Sequence, residues 1–469
     1  MRNKFHQFGL IAIGALLGVL VSLNLTAVAQ RDLSAPLPIE ELRAFTEVFG
    51  RVKSDYVEPV EDKKLITEAI NGMLTGLDPH SAYLDQEAFR ELQVGTQGEF
   101  GGLGIEVGME DGFVKVVAPI DDSPAARAGL KAGDLIVKLD ETSVKGMTLS
   151  DAVKRMRGKP DTQITLTIVR KGETKPIVVT ITRAIIKIQS VKSTLLEPGY
   201  AYFRVTQFQE HTGEILAHSI TRLFKENPVP MKGIVLDLRN DPGGLLNGAV
   251  AVSAAFLPTG SLVVYTDGRT EDSRMRLSAA PEHYLRGRLK QDYIGGLPDN
   301  VKTVPMVVLV NGGSASASEI VAGALQDHKR AVIMGQRTFG KGSVQTILPL
   351  GNNTAIKLTT ARYYTPNGRS IQAKGIEPDI PLDDGVSARA GALKLREAEL
   401  TKHLTGSDAE KPADTAAVAK QYDFTPEPRP TDVDEKLLRP EPGQIVSKHD
   451  YELNQAIAFL KSRGGTRTN

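Results

Sequence analysis

The sequence of 469 residues contains no cysteine, only eight histidines, and a net charge of +1. The lack of cysteine excludes disulfides, thiol catalysis and thiolate metal sites. So small a charge creates no field that would favour nucleic acid as a partner. The G-x-S-x-G and H-E-x-x-H motifs of common hydrolases are also missing. What remains is an ordinary globular composition, 41% apolar and 24% charged, long enough for about two to four domains.

The first thirty residues, MRNKFHQFGLIAIGALLGVLVSLNLTAVAQ, have the pattern of an export signal. A basic start with Arg2 and Lys4 precedes an apolar stretch to about Leu25, and an A-x-A cleavage pattern follows at 27–29. The stretch is long for a signal peptide and short for a membrane span, so residues 1–29 are either a signal peptide or an N-terminal anchor. Both predict export, with the protein soluble in the periplasm or anchored to the inner membrane.

Composition and periodicity divide the rest of the chain into four segments. Residues 37–96 have apolar positions at helical spacing, whereas 97–186 contain short β-branched runs broken by glycine. Strands and helices alternate over 187–385, which predicts an α/β core with a largely buried sheet. Residues 386–469 form a tail that should be loose up to about 445 and end in one amphipathic helix, YELNQAIAFLKS.

The peptide NGGSASASEIVAGALQDH carries three serines at alternate positions between an apolar run and a helical pattern. Ser316 and Glu319 have the spacing of a helix capping box, and Ser314 or Ser318 could also satisfy first-turn amides. A serine here could equally be a nucleophile, because a helix N-terminus offers unpaired N–H groups to a developing oxyanion. The two interpretations are compatible. Only a side chain able to accept the hydroxyl proton, a general base, would identify one of these serines as a nucleophile.

The candidate base is the lysine of GQRTFGKGSVQTILPL. The glycines before Lys341 resemble a phosphate-binding P-loop, but Gly342 stands where that loop needs Ser or Thr, and a strand pattern follows. Lys341, Ser343 and Gln345 should share one face of this strand. A lysine base needs a pKa lowered from about 10.4 to roughly 7–8, which requires burial without a carboxylate beside it. Gln345 could orient the amine without adding charge, so a Ser–Lys pair is chemically complete.

No histidine competes with this lysine as a base. His80, in LDPHS, lies at the end of a helical pattern, which favours a capping or packing role. His211 and His218 follow one helix face and are expected at the surface rather than at a metal. A protease with a His-Asp-Ser triad is therefore disfavoured.

The peptides GSASASEIVAGALQD and GQRTFGKGSVQ together resemble the C-terminal processing peptidases, also called tail-specific proteases. LDPHSAYL, GGLGIEV and DLRNDPGGLL match further signatures, and the resemblance extends from about Glu40 to Leu382. It implies a multidomain α/β protein: an N-terminal helical segment, an inserted β-rich PDZ domain, an α/β serine peptidase core and a helical tail. It also implies that Ser316 is the nucleophile, Lys341 the base and Gln345 the orienting residue, with no metal or cofactor.

The same resemblance implies an oxyanion hole made of two backbone amides. One is Ala317, directly after the nucleophile, and the other is Gly243 or Gly244 in NDPGG, with a slight preference for Gly243. Three charged residues matching family positions are expected to be structural, the first two as an ion pair: Asp237, Arg239 and Asp327.

In the PDZ segment, GGLGIEV should supply a nest of amides for a terminal carboxylate while the bound peptide adds as a strand. The expected contacts are Leu103, Gly104, Ile105, Val153, Met156 and Arg157, the last of which could instead be a solvated helix end. The leading hypothesis is an exported serine endopeptidase that selects proteins with accessible apolar C-termini. The alternative is a non-catalytic PDZ scaffold of the same fold. The terminal helix could bind a helical adaptor, a second copy of the chain, or its own core.

Overall fold

The computed structural model describes most of the chain after its N-terminal segment. The described residues are 38–120, 123–187, 189–285, 291–382, 396–406, 422, 424–429 and 444–464. The predicted export signal lies outside them, and no described helix is both long enough and apolar enough to cross a membrane. The chain divides into two compact units, Met1–Gly72 and Met73–Asn469.

The N-terminal segment is helical, with one interruption. Helix α1 spans Ile39–Asp55 and buries none of its residues, and α2 spans Asp62–Thr75. A short strand that the sequence pattern did not predict, β1 (Ala82–Leu84), comes next and pairs with a strand of the core. Helix α3, Gln86–Gln97, begins at Asp85, whose carboxylate accepts hydrogen bonds from two first-turn amides, and ends at a left-handed glycine.

The β-rich module is a small antiparallel fold with its own apolar core. A two-stranded ribbon of β2 (Glu99–Gly102) and β9 (Ala184–Lys187) brings its ends together. Between them lies a sheet in the order β3-β4-β5-β7-β8, with β6 beside β5. Its strands are β3 Ile105–Glu110, β4 Phe113–Pro119, β5 Leu135–Leu139, β6 Thr142–Ser143, β7 Gln163–Val169 and β8 Ile177–Thr182. Helices α4 (Pro124–Arg127) and α5 (Leu149–Met156) complete the module.

The core is built on a six-stranded sheet in the order β10-β11-β12-β15-β16-β19. All neighbours except β10 and β11 are parallel. The strands are β10 Val191–Glu197, β11 Tyr200–Val205, β12 Gly233–Asp237, β15 Met306–Val310, β16 Val332–Gly335 and β19 Ile380–Pro381. Central strands such as Met306–Val310 are buried throughout, as expected when helices cover both faces of a parallel sheet.

Four long helices and a second sheet surround this one. The helices are α6 Thr212–Glu226, α7 Leu246–Phe256, α9 Ala317–Asp327 and α10 Tyr451–Gly464. A four-residue helix, α8, spans Pro281–Tyr284. The second sheet has the order β1-β18-β13-β14, with β17 also paired to β18. Its core strands are β13 Leu262–Gly268, β14 Arg276–Ser278, β17 Ser343–Pro349 and β18 Ala355–Tyr364.

Three loops follow the carboxyl ends of neighbouring parallel strands. Residues 238–245 follow β12, residues 311–316 follow β15, and residues 336–342 follow β16. Because parallel strands end at the same edge of a sheet, the three loops meet there, where open α/β sheets form their ligand sites. The candidate nucleophile, base and glycine pair lie in or directly after these loops.

The tail follows one of the alternatives that the sequence left open and differs from the sequence-based expectation in one respect. Helix α10 packs on the core sheet of its own chain and buries Leu453, Phe459 and Leu460, which is one of the three alternatives that the sequence left open. Residues 396–406, expected to be loose, include Glu397, whose side chain is only 1% exposed. The composition of this segment suggested disorder. It gave no sign of the contacts that order the segment, because they come from distant parts of the chain.

We expect Leu460→Ala to lower the free energy of unfolding by about 2–5 kcal/mol, because it removes a fully buried side chain between helix and sheet. The matched control is Ser462→Ala on the exposed side of the same helix, which should change the value by less than about 0.5 kcal/mol. Chemical denaturation measures both. Equal effects would contradict the docking of α10 on its own core.

Candidate active site

Ser316 lies at the first turn of α9 in a conformation that few non-glycine residues adopt. Its φ is 57° and its ψ is −113°, values that cost about 1–3 kcal/mol for a side chain with a Cβ. Such strain persists only where surrounding contacts enforce it. The next amide, that of Ala317, donates to no described acceptor and therefore remains available at the helix N-terminus.

The other two serines of the peptide connect this turn to the loop 238–245. The Ser314 hydroxyl donates to the carbonyl oxygen of Leu238 at 2.8 Å, and the Ser318 hydroxyl to that of Asp241 at 2.9 Å. Both are fully buried, whereas Ser316 is partly exposed. Only Ser316 among the three is therefore open to a substrate.

Glu319 connects the serine turn to the lysine loop. Its Oε2 accepts hydrogen bonds from the backbone amides of Ser316 at 2.8 Å and Lys341 at 2.9 Å. Its Oε1 accepts from the Thr338 hydroxyl at 2.5 Å and the Gly340 amide at 2.7 Å. The carboxyl group is fully buried, and this burial raises its pKa to about 7. The sequence predicted a helix cap; the contacts to the second loop were not foreseen.

Lys341 lies just before β17 and is largely enclosed. Burial, assisted by the charge of Lys357, lowers the pKa of its amine to about 8. Three carboxyl groups act in the opposite direction: Glu397, Glu319 and Asp78. The expectation that no carboxylate lies nearby is therefore wrong, yet desolvation still dominates and brings the amine close to neutral pH.

Gln345 belongs to a polar cluster beside the base. Its amide nitrogen donates to the hydroxyls of Ser343 at 3.0 Å and Thr359 at 3.2 Å, and Thr359 in turn donates to Asp78 at 3.0 Å. These two bonds use the amide nitrogen of Gln345 and fix the orientation of the group, so the amide oxygen remains available to accept a hydrogen bond. Asp78 comes from the LDPHS peptide, so the family signature near residue 80 supports the strand that carries Gln345.

Tyr363 contacts both candidate catalytic residues and was not singled out from the sequence. Its buried hydroxyl donates to the carbonyl oxygen of Lys341 and also lies beside the hydroxyl of Ser316. Its backbone amide donates to the carbonyl of Gly342 at 3.0 Å. An alternating β-strand pattern gives no indication that one tyrosine will reach across to a helix N-terminus.

The glycine pair lies against the serine turn. A Cβ on Gly243 would come within 2.7 Å of the Ala315 carbonyl oxygen and 2.8 Å of the Ala317 nitrogen. The Gly243 amide donates to Asp241 Oδ1 at 2.9 Å, whereas the Gly244 amide donates to no described group. The sequence-based preference for Gly243 as the donor is therefore not supported, and Gly243 instead provides space.

Two ion pairs lie away from the serine turn and stabilise the core: one between Asp237 and Arg239, the other between Asp327 and Arg369. Asp237 and Arg239 form a buried ion pair, with Nη2 and Oδ2 separated by 2.7 Å, and Arg239 also binds Asp450 and Glu452 at the start of α10. Asp327 accepts hydrogen bonds from Arg369 and from the Asn367 amide. None of these contacts involves the serine turn.

The PDZ segment presents free backbone amides at its glycine-rich loop. No described group accepts from the amides of Leu103 or Gly104, which precede edge strand β3 at Ile105. Across the module, Val153 is partly buried and Met156 is packed into the core. The guanidinium of Arg157 lies over the ring of Phe100, 4.9 Å from its centroid, so it is not a fully solvated helix end.

Comparisons with known proteins find relatives that match most of this chain. Residues 199–382 match Peptidase family S41, 101–181 match the PDZ domain, and 21–88 match the activating protease CtpB N-terminal domain. The chain is 47% identical to a carboxy-terminal-processing protease of Bartonella bacilliformis over 85% of its length and 89% of the relative's. It is 34% identical to carboxy-terminal processing protease CtpB of Bacillus subtilis, covering 79% and 73% of the two chains. A solved structure of a photosystem II D1 C-terminal processing protease is 32% identical over 72% of this chain and 86% of that one, with a TM-score of 0.40.

We expect Gly243→Ala to reduce peptide hydrolysis by about 100-fold or more, because its Cβ would lie against the Ala317 amide and its φ of 96° disfavours a side chain. Gly312→Ala in the neighbouring loop is the control, since a Cβ there meets nothing within 4 Å. Turnover per folded protein, with folding checked by thermal denaturation, measures the effect. A folded, fully active Gly243→Ala protein would contradict the assigned geometry.

Proposed function

The chain belongs to peptidase family S41 as a carboxy-terminal processing protease, and from this we propose that it cleaves with Ser316 as nucleophile and Lys341 as base. The observation that carries the proposal is the carboxylate of Glu319, which binds the amides of both residues and so fixes the two loops together. In its neutral form the amine of Lys341 accepts the proton of Ser316 as the hydroxyl oxygen attacks the peptide carbonyl. The resulting ammonium then protonates the departing amine, and water hydrolyses the acyl-enzyme.

Two backbone amides would stabilise the oxyanion of this reaction. Those of Ala317 and Gly244 have no described acceptor, and Gly243 leaves the space beside Ala317 open. Donors held in place before the reaction lower its barrier because they need not reorganise as charge develops. Gln345 would hold the amine through its amide oxygen, since its amide nitrogen is already bound to Ser343 and Thr359.

The PDZ domain is proposed to bind the C-terminus of the substrate. The amides of Leu103 and Gly104 would hold the terminal carboxylate, and the peptide would add to the free edge of β3. Val153 would contact the last side chain, while Met156 supports the pocket from within the core. Export of the protein by residues 1–29 completes the proposal and places cleavage outside the cytoplasm.

One segment provides a route from the PDZ domain to the catalytic loops. The Gln209 side chain and the Glu210 amide donate to the carbonyls of Gly95 and Thr96 at the end of α3, just before the PDZ domain. The preceding residue, Phe208, exchanges backbone hydrogen bonds with the glycine loop through Gly243 and Leu245. A change in the position of the PDZ domain can therefore alter the oxyanion hole.

The pH dependence of activity tests the base. We expect kcat/KM to rise with pH through an apparent pKa near 8, because burial lowers the pKa of Lys341 to about that value. Between about pH 8 and 10.5 the unfolded chain binds more protons at this residue, so its contribution to stability should rise with pH. Ser316→Ala should be inactive, and its melting temperature should stay within a few degrees of wild type because a lost helix cap costs about 1 kcal/mol. A flat rate from about pH 6 to 9, with chemistry limiting, would exclude a lysine of this pKa.

The role of the PDZ domain is tested with a peptide substrate whose C-terminus is either free or amidated. If the bound tail also completes the site, amidation should lower kcat as well as raise KM, because a ligand shifts an equilibrium only through its differential affinity for the two states. Steady-state kinetics on both peptides distinguish these effects. A change in KM alone at saturating substrate would make the domain a tether rather than a switch.

A further inference from the structure

A buried acidic residue from the tail reaches the base loop, although it lies beyond the segment that matches the peptidase family. That segment ends at residue 382, whereas Glu397 lies in the described stretch 396–406. Its side chain is 1% exposed. Its backbone amide donates to the carbonyl oxygen of Phe339 at 3.2 Å. Phe339 belongs to the loop 336–342 that carries Lys341, called the base loop below. A carboxylate this deep in the protein needs partners to offset its lost hydration.

Its partners form a continuous hydrogen-bonded path to the residue beside the base. The carboxylate lies 2.8 Å from His80 Nε2, and its Oε1 accepts from the Gln372 amide nitrogen at 2.8 Å. The Gln372 amide oxygen then accepts from the Gly342 backbone amide at 2.9 Å. Gly342 directly follows Lys341, so the orientation of Gln372, set by Glu397, fixes the backbone next to the amine.

The charge of Glu397 also acts on the base. Burial opposes its ionisation, but the hydrogen bonds from His80 and Gln372 and the charge of Lys341 together hold its pKa below the usual value. Of the groups that act on the amine, Lys357 favours the neutral form, whereas Glu397, Glu319 and Asp78 favour the ammonium. Among these carboxylates Glu397 has the largest effect, and it alone comes from the tail.

We propose that Glu397 is a positioning residue of the active site, which orients the base loop through Gln372 and counteracts the loss of the proton from Lys341. His80 is the second partner that keeps it ionised. This inference rests on the proposed Ser316–Lys341 chemistry. It adds one residue of the tail, Glu397, to the groups that support the active site, and it assigns a role to the histidine of LDPHS that packing alone would not require.

The test compares pH profiles of kcat/KM for the full-length wild type, Glu397→Gln, Glu397→Asp and Glu399→Gln on one peptide substrate. Without the negative charge, Glu397→Gln should shift the rising limb to lower pH by about half a unit or more. Glu397→Asp keeps the charge but shortens the side chain, so it should lower kcat without moving the limb. Glu399→Gln, an exposed carboxylate in the same turn, makes the same change in net charge and should leave both parameters unchanged.

The outcomes separate this inference from the proposed function. If wild type is active, Ser316→Ala is inactive and all the position-397 profiles superimpose on that of wild type, only the role of Glu397 is wrong. If Glu397→Gln loses activity equally at every pH while its melting temperature falls, the residue is merely structural and the inference is also overturned. If Glu397→Gln does not fold, Glu397→Asp decides, because unchanged kcat in that variant contradicts a positioning role. Activity in Ser316→Ala would instead overturn the proposed function.

Discussion

A single buried carboxylate, that of Glu319, holds the two loops of the active site in register. Removing such a group from water is costly unless hydrogen-bond donors replace its hydration. Four donors do so here, and two of them are the amides of Ser316 and Lys341. The cost of burying Glu319 is therefore offset only when the serine turn and the lysine loop lie side by side. The interaction that satisfies a core polar group is the same one that assembles the proposed dyad.

The pKa of the base results from opposing contributions made by distant parts of the chain. Burial and Lys357 favour the neutral amine, while Asp78, Glu319 and Glu397 favour the ammonium. A wholly apolar pocket would lower the pKa further but would leave the backbone amides of the loop without acceptors. The carboxyl groups organise the loop and, in doing so, keep the pKa from falling too far. The pKa of Lys341 is thus a balance between burial, which lowers it, and the carboxyl groups that organise the loop, which raise it.

Local features could be predicted from the sequence because their causes are local. The alternation in Gln163–Val169 and the apolar run Met306–Val310 correctly indicated strands, and the peptide around Ser316 a helix N-terminus. Contacts between distant residues left no such pattern, which is why Glu397 and β1 were missed. The choice between Gly243 and Gly244 stays a prediction, and the bond from the Gly243 amide to Asp241 is visible only in the folded chain. The apolar stripe of α10 would look the same on its own sheet or on a partner.

The contact between His80 and Glu397 joins residues 317 positions apart, and Arg239 binds Asp450, which lies 211 positions after it. Chains are synthesised from the N-terminus, and contacts of long sequence separation form late because their loops are costly to close. A nascent chain that already contains Ser316 and Lys341 still lacks Glu397 and Asp450. The contacts that Glu397 and Asp450 make with earlier parts of the chain can therefore form only after nearly the whole polypeptide has been synthesised.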